Sequence, residues 1–356
     1  DVDIEKINQL NQGIFRTNEP EVSKLISNNL SRITFTSSIS ETSESEIFFV
    51  IVPTPSDESN EFSNQFVIEA VKSIVGSFTQ TNLIEKTIVI VSTVMPETCE
   101  KILSPIIDKY SNNASVDVKL LYSPEFIALG SVVENLRYPD MTLVGAKNIK
   151  DCDKFLEVIK KVTKNDSPKI ILSLTEAEIV KLLVNCYVTM KISFANFISE
   201  LALSYGKLDE KLIAKALGHD SRIGEKYLSP GLGYGGPCFP RDNKALIRAA
   251  DKKGLVASLS VATDTINLRQ PNFHVKKILS ENKNLKIVGL IGLTYKPNSE
   301  VLEKSQMLDI AALLQINNLT VEYFDPLVSD ITIAKKRLVG VKKIEDLDNC
   351  DLIVTT

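Results

Sequence analysis

The sequence predicts an α/β protein, with two doubly wound domains joined by a long central helix. Three observations lead there. Short apolar, β-rich runs alternate with longer amphipathic segments through the first half of the chain. From Thr175 to about Tyr205 there is neither proline nor glycine, and Leu, Ile, Val and Ala dominate. After Gln270 and Pro271 the alternation of strand-like and helix-like runs resumes. The totals agree: 356 residues suggest two or three domains, and 44% hydrophobic with 24% charged residues is the balance of a globular chain with a sizeable core.

Glu46 to Val52, Lys86 to Ser92 and Asp117 to Tyr122 read as strands. The runs Ile-Phe-Phe-Val-Ile-Val and Thr-Ile-Val-Ile-Val lack a polar face, as expected of parallel strands covered on both sides by helices. Ligands of such sheets sit beyond the carboxyl ends of the strands, where Pro53-Thr54-Pro55 and Ser92-Thr93-Val94 fall. Taken singly, each turn also reads as ordinary strand-to-helix punctuation. On the long helix, Lys181, Asn185 and Asn196 project from one face, because residues one and three turns apart superpose. The neighbours Ile179, Val180, Leu182, Leu183 and Val184 imply a largely buried helix, and a buried lysine needs a partner. In the last third, Leu285 to Leu290 reads as a strand with Gly289 and Gly292 at its end, and Ser305 as the cap of a helix reaching Leu314. Thr320 to Phe324 is a strand leading into Asp325-Pro326, and Asp351 to Thr356 a final one.

A net charge of -4 with scattered lysines gives no support for nucleic acid or an anionic membrane as partner, so the ligand should be small. Cys99, Cys152, Cys186, Cys238 and Cys350 are odd in number and widely spaced, which indicates neither a disulfide framework nor a zinc knuckle and fits a reducing cytoplasm. With only His219 and His274, a histidine metal site or a Ser-His-Asp triad is not expected. No signal peptide and no apolar run long enough to span a bilayer is recognised, so the expected location is the cytosol.

The densest chemistry lies in Gly233-Tyr234-Gly235-Gly236-Pro237-Cys238-Phe239-Pro240-Arg241-Asp242. Glycines let the backbone approach a ligand, a thiolate is the strongest side-chain nucleophile near neutral pH, and a carboxylate follows four residues on. By itself Cys238 also reads as a small apolar core residue. The rest of the chain shifts the balance toward covalent catalysis.

In order along the chain, Pro53-Thr54-Pro55, Ser92-Thr93-Val94, Ser123-Pro124-Glu125-Phe126, Lys181-x-x-x-Asn185, Asp220-Ser221-Arg222-Ile223-Gly224 and the cysteine loop resemble the blocks of the UDP-sugar dehydrogenases. These are four-electron NAD-dependent oxidoreductases that convert a UDP-hexose to a UDP-hexuronate. Glu125-Phe126 and Pro237-Cys238-Phe239 are similar to the glucose branch of the family, and an enzyme of UDP-N-acetylhexosamines is the runner-up. The resemblance implies a Rossmann-like NAD-binding domain over 1–174, a central helical dimerisation and catalytic-loop domain over 175–271, and a Rossmann-like UDP-sugar-binding domain over 272–356. It implies that Cys238 adds to the aldehyde from the first oxidation, giving a thiohemiacetal and then a thioester. Lys181 and Asn185 would stabilise the oxyanion. Asp242, Glu125 and Thr93 would hold water and move protons, either carboxylate being a candidate general base. For the cofactor the resemblance implies Asp1, whose carboxylate favours NAD over NADP, with Lys6, Val52, Pro53, Thr54, Ser92 and Val94. For the nucleotide sugar it implies Phe126, Ile127, Tyr227, Leu228, Ser229, Gly231, Tyr234, Gly235, Tyr295 and Lys296. Arg222 would reach the substrate of a neighbouring subunit, which implies a homodimer.

The sequence departs from the family in five places. No G-x-G-x-x-G precedes Asp1, and the chain stops at the strand near Thr356, so it reads as lacking the first strand, the glycine turn and the family's far end. Phe197 and Leu129 stand where relatives carry acidic residues, and Glu303 where they carry arginine, with Lys304 beside it as a substitute cation. Glu303 and the missing glycine turn also suit a non-catalytic nucleotide-sugar-binding homologue.

Overall fold

The computed structural model describes residues 1–15, 17–80, 85–114, 116–206, 208–328, 332–333 and 336–355. Thr356 of the expected last strand lies outside them. The chain divides into two compact units, Asp1–Lys181 and Leu182–Thr356.

The first unit is built on a five-stranded sheet in chain order: β1 (Ile47–Val50), β2 (Glu85–Ile90), β3 (Asp117–Tyr122), β4 (Thr142–Ala146) and β5 (Lys169–Leu172). Pairing is parallel except between β3 and β4. The sequence shows β1 to β3, while β4 and β5 enter with the structure. Phe48, Val50, Ile88 and Ile90 pack against Val67, Val71 and Ile74 of the helix Gln65–Gly76 on one face. Val89, Leu121 and Val144 pack against Phe155 of the helix Asp153–Val162 on the other. Lys86 interrupts this apolar strand: its ammonium donates to Ser43 O (2.6 Å) and Ser45 O (2.9 Å) and lies over the Phe48 and Phe78 rings. β1 ends two residues before the expected Val52 because the Val52 N–H turns to Ser92 Oγ (2.8 Å).

The long helix runs Leu174–Ser204 and stops at Gly206, whose φ of 96° lies in the left-handed region that favours glycine. By length and composition it is apolar enough to cross a membrane, which corrects the expectation of no such run. Glu178, Lys181, Thr189, Ser193, Asn196 and Ser199 are nevertheless buried inside the protein, while Ile179, Leu183, Tyr187, Phe194, Phe197 and Leu201 are exposed, so the helix is not largely buried as expected but turns a polar stripe inward and leaves an apolar one outward.

The second unit holds a parallel sheet of order β10-β7-β6-β11, made of β6 (Ile287–Ile291), β7 (Thr320–Phe324), β10 (Val339–Gly340) and β11 (Leu352–Thr355). Two short strands, β8 (Thr332–Ile333) and β9 (Lys336–Arg337), pair separately. From β6 the chain steps outward through β7 and β10, then returns to β6's other side as β11. The carboxyl ends of β6 and β11 are therefore the topological switch point, the place where open α/β sheets bind ligands. Ser305 is the N-cap of the helix Gln306–Ile316, as expected, but its hydroxyl donates to Leu293 O (2.7 Å) instead of capping. Pro271 does not end a helix: Ser258–Glu281 continues through it. A proline lacks the N–H that would reach the carbonyl four residues back. That carbonyl, Asn267 O, accepts from Gln306 Nε2 (2.9 Å) instead.

Candidate active site

In the first unit the two predicted turns are tied together at the carboxyl ends of β1 and β2. Ser92 Oγ accepts from Val52 N and donates to Val52 O (2.7 Å), and Thr54 Oγ1 donates to Thr93 O (2.8 Å). Thr54, Ser92 and Val94 are buried, Val52 and Thr93 half-buried and Pro53 exposed. These turns stand where a parallel sheet receives a dinucleotide. Asp1 and Lys6 form an exposed pair (3.7 Å) at the helix Ile4–Asn11, and Asp1 Oδ1 also accepts from Asp3 N (3.2 Å).

Lys181, only 8% exposed, finds the partner its burial demands: Nζ donates to the Glu125 carbonyl (2.5 Å) and sits 4.6 Å from the centre of the Phe126 ring. Burial pushes the Glu125 carboxyl up, and the Lys181 charge partly opposes that. Such a carboxyl suits a group that must both take and return a proton. Ile127, next along, is exposed. One residue of this region escaped the sequence reading. Glu178, fully buried one turn before Lys181, accepts from Glu97 N (2.6 Å) and Cys99 N (2.7 Å), and so pins the chain after the Ser92 turn to the long helix. Burial pushes its carboxyl up to about 6, against the pull of the N–H groups. A glutamate inside an apolar helical stretch was the available signal.

In the second unit Cys238 is the N-cap of the helix Phe239–Asp251, with Pro240 in the first turn, and it is exposed. Asp242 is 1% exposed, and its Oδ2 accepts from Asn185 Nδ2 (2.6 Å). Cys186 lies beneath, donating to Asp242 O (3.6 Å), with burial and the Asp242 and Asp264 carboxylates pushing its thiol up to about 12. That environment keeps Cys186 protonated, so the exposed Cys238 is the nucleophile candidate of the two. Asn196 serves the loop backbone: it accepts from Gly231 N (3.0 Å) and donates to Leu232 O (3.3 Å).

The loop leading to Cys238 is held at Gly233, Tyr234 and Gly236. Gly233 N donates to Gln306 Oε1 (2.7 Å). Tyr234 N donates to Asn267 Oδ1 (2.8 Å), and Asn267 Nδ2 donates back to Tyr234 O (2.9 Å). The Tyr234 hydroxyl donates to the Asp264 carboxylate, and burial raises both groups. Gly236 N donates to Glu303 O (2.9 Å). A Cβ on Gly235 would stand 2.2 Å from Lys304 O, so only glycine allows the approach. Asn267, Gln306 and Asp264 were missed by the sequence reading because they lie 26 to 68 residues beyond Cys238 and match no motif.

Arg222 is held by Asp220 in a two-point pair (2.9 and 2.6 Å), its side chain 86% exposed. Lys191 of the long helix anchors this block through Ile223 O and Gly224 O (both 3.1 Å). Tyr227 is exposed with φ of 63°; Leu228 is buried and Ser229 exposed. Leu228 and Ser229 line a cavity of about 480 Å³ together with Lys211, Lys215 and Glu225. Tyr295 and Lys296 follow β6 at the switch point, with the lysine ammonium 5.8 Å from the tyrosine ring centre. Glu303 and Lys304 are exposed, and Lys304 has φ of 53°. Among the described residues no group of three or more His, Cys, Asp or Glu is placed to hold a metal.

Three family profiles match in succession: the UDP-glucose/GDP-mannose dehydrogenase family NAD binding domain over residues 1–163, its central domain over 175–269 and its UDP binding domain over 289–356. The UDP-glucose 6-dehydrogenase of Rickettsia bellii is 31% identical over 366 residues, covering 100% of this chain and 82% of the relative. Among solved structures, a UDP-glucose dehydrogenase from Pyrobaculum islandicum superposes with a TM-score of 0.88 at 28% identity, covering 100% of this chain and 83% of that one. A UDP-D-ManNAc dehydrogenase from Pyrococcus horikoshii shares the fold at 22% identity and a TM-score of 0.80, over 100% of this chain and 82% of that one.

Proposed function

The chain belongs to the UDP-glucose/GDP-mannose dehydrogenase family, with NAD as cofactor, and from that premise we propose that it oxidises the C6 alcohol of UDP-glucose to the carboxylate through a covalent Cys238 adduct. One observation carries the reading: an exposed thiol at the amino end of a helix, one turn from a buried Asp242 carboxylate that Asn185 holds at 2.6 Å. The amino end of a helix favours a developing negative charge.

NAD, when bound, accepts the hydride released in each of the two oxidations. Val52, Thr54, Ser92 and Val94 would line its nicotinamide side and Asp1 would hold its ribose. In the first oxidation the C6 hydroxyl gives its proton to a carboxylate of this chain, Glu125 or Asp242. The Cys238 thiolate then bonds to the aldehyde carbon, and the oxygen that becomes negative is the one assigned to Lys181 and Asn185, one turn apart on the same helix. Loss of hydride from that adduct leaves a thioester. Water, positioned by Thr93 and a carboxylate, cleaves the C–S bond, releases the uronate and returns the thiol. Keeping the aldehyde on sulfur prevents its escape between oxidations.

Phe126, Ile127, residues 227–235, Tyr295 and Lys296 form the proposed nucleotide-sugar side. The same reading carries a cytoplasmic homodimer in which Arg222, almost wholly solvent-exposed, reaches the substrate of the other copy. Supplied with UDP-glucose and NAD, the protein should form two reduced cofactors per uronate. Cys238→Ser should release no acid, and normal acid production by that variant would remove the covalent step. Faster turnover of a UDP-N-acetylhexosamine in the same assay would replace the sugar assignment.

A further inference from the structure

We propose that Gln306 and Asn267 form an amide lock that couples occupation of the nucleotide lobe at the β6–β11 switch point to the placement of Cys238. This rests on the functional reading above and adds to it a means by which UDP binding organises the nucleophile.

The lock begins with a backbone defect. Pro271 leaves Asn267 O without its helical donor, and Gln306 Nε2 fills the place (2.9 Å), also reaching Asn267 Oδ1 (3.0 Å). The two amides, each under 8% exposed, then treat the loop as a neighbouring strand would. Asn267 satisfies both the N–H and the C=O of Tyr234, and Gln306 Oε1 takes the N–H of Gly233. A Cβ on Gly233 would lie 2.1 Å from Asn267 Oδ1 and 2.3 Å from Gln306 Nε2, so the fit leaves no slack.

From this lock, hydrogen bonds joined through the backbone of residues 301–306 lead to the exit of β6. Gln306 follows Ser305, whose hydroxyl donates to Leu293 O (2.7 Å). Tyr295 N donates to Val301 O (3.1 Å), Glu303 O accepts from Gly236 N, and the Tyr295 ring occupies the space a Gly236 Cβ would need. A nucleotide seated on residues 292–296 therefore presses on the segment 301–306, which holds residues 233–236, two positions from the nucleophile. Packed elements of this kind have discrete arrangements, and ligands bias them through differential contacts.

The test reads the alkylation rate of Cys238 by iodoacetamide, peptide by peptide in a mass spectrometer, with and without UDP. UDP lacks the sugar that would cover the thiol. In the wild-type protein saturating UDP should change the rate about fivefold or more. The near-isosteric Gln306→Glu and Asn267→Asp should keep UDP affinity, lose the UDP effect on alkylation, and lower kcat for UDP-glucose about tenfold or more with little change in KM. A UDP effect that persists in both variants at unchanged kcat would mean simple shielding and would overturn the coupling. An unchanged wild-type alkylation rate under bound UDP would overturn it without any variant. Failure of the wild-type protein to bind UDP would instead overturn the functional reading on which the coupling stands.

Discussion

The turns after β1 and β2 and the loop before Cys238 both present backbone to a ligand, yet they are built differently. At the strand ends, residues of two readable motifs hold each other: Ser92 with Val52 and Thr54 with Thr93. At the cysteine loop, the motif supplies only one partner of each bond. The others, Asn267, Gln306 and the Glu303 carbonyl, lie where no sequence pattern marks them as partners of this loop. A motif of glycines is thus a demand for close approach, and the groups that meet the demand are found only after the chain has folded.

The sharpest way to break this contrast is to fill the approach. Gly233→Ala should destabilise the protein by about 3 kcal/mol, as overpacking against buried, bonded amides does, and should cut kcat about 100-fold through displacement of the loop. Gly231→Ala, in the same loop with nothing within 4 Å of its added Cβ, should leave stability near wild type. Denaturant unfolding of both variants and steady-state rates of Gly233→Ala decide the matter. Equal losses of stability at the two glycines would mean that loop flexibility, and not the amide contact, sets the requirement for glycine.

Much of the scaffold was readable, for a physical reason. β1 and the second half of β2 are apolar runs without a polar face, β3, β6 and β7 are short β-rich runs, and the long helix has no breaker until Gly206. β4 and β5 were not seen: Thr142–Ala146 is five residues with a glycine near its end, and Lys169–Leu172 only four following a proline. The antiparallel step from β3 to β4 leaves no trace in hydropathy, since a strand buried on both faces reads alike in either direction. At the site, Lys181 was readable as a charge in apolar surroundings, whereas its partner is a main-chain carbonyl that no sequence pattern marks.

Glu178 is the exception in the first unit, a distant group holding the chain beyond the Ser92 turn, and its titration tests whether that support matters. Its folded carboxyl titrates near 6, above the ordinary value of 4.5, so the folded state binds the proton more tightly than the unfolded one. Stability from this group is therefore full below pH 4.5 and falls as pH rises through about 6. A shift of this size corresponds to roughly 2 kcal/mol. Glu178→Gln should remove that slope: the stability gap between wild type and variant should differ by about this amount between pH 4.5 and pH 7.5. A gap independent of pH would show that Glu178 does not titrate in this range.

The smallest effect belongs to the motif-to-motif bonds themselves. Ser92→Ala removes the oxygen that takes the Val52 N–H and the hydroxyl that donates to Val52 O, at a position where Val52 is only half-buried. Water can reach part of what the hydroxyl leaves behind, so the cost should be about 1 kcal/mol. The functional consequence should be selective. Ser92 and Val52 stand on the proposed nicotinamide side, so KM for NAD should rise several-fold while KM for UDP-glucose stays put, because the amide-held loop of the other unit keeps all its partners. A rise in both constants together would show that the two ways of building a ligand-facing turn are not energetically separate.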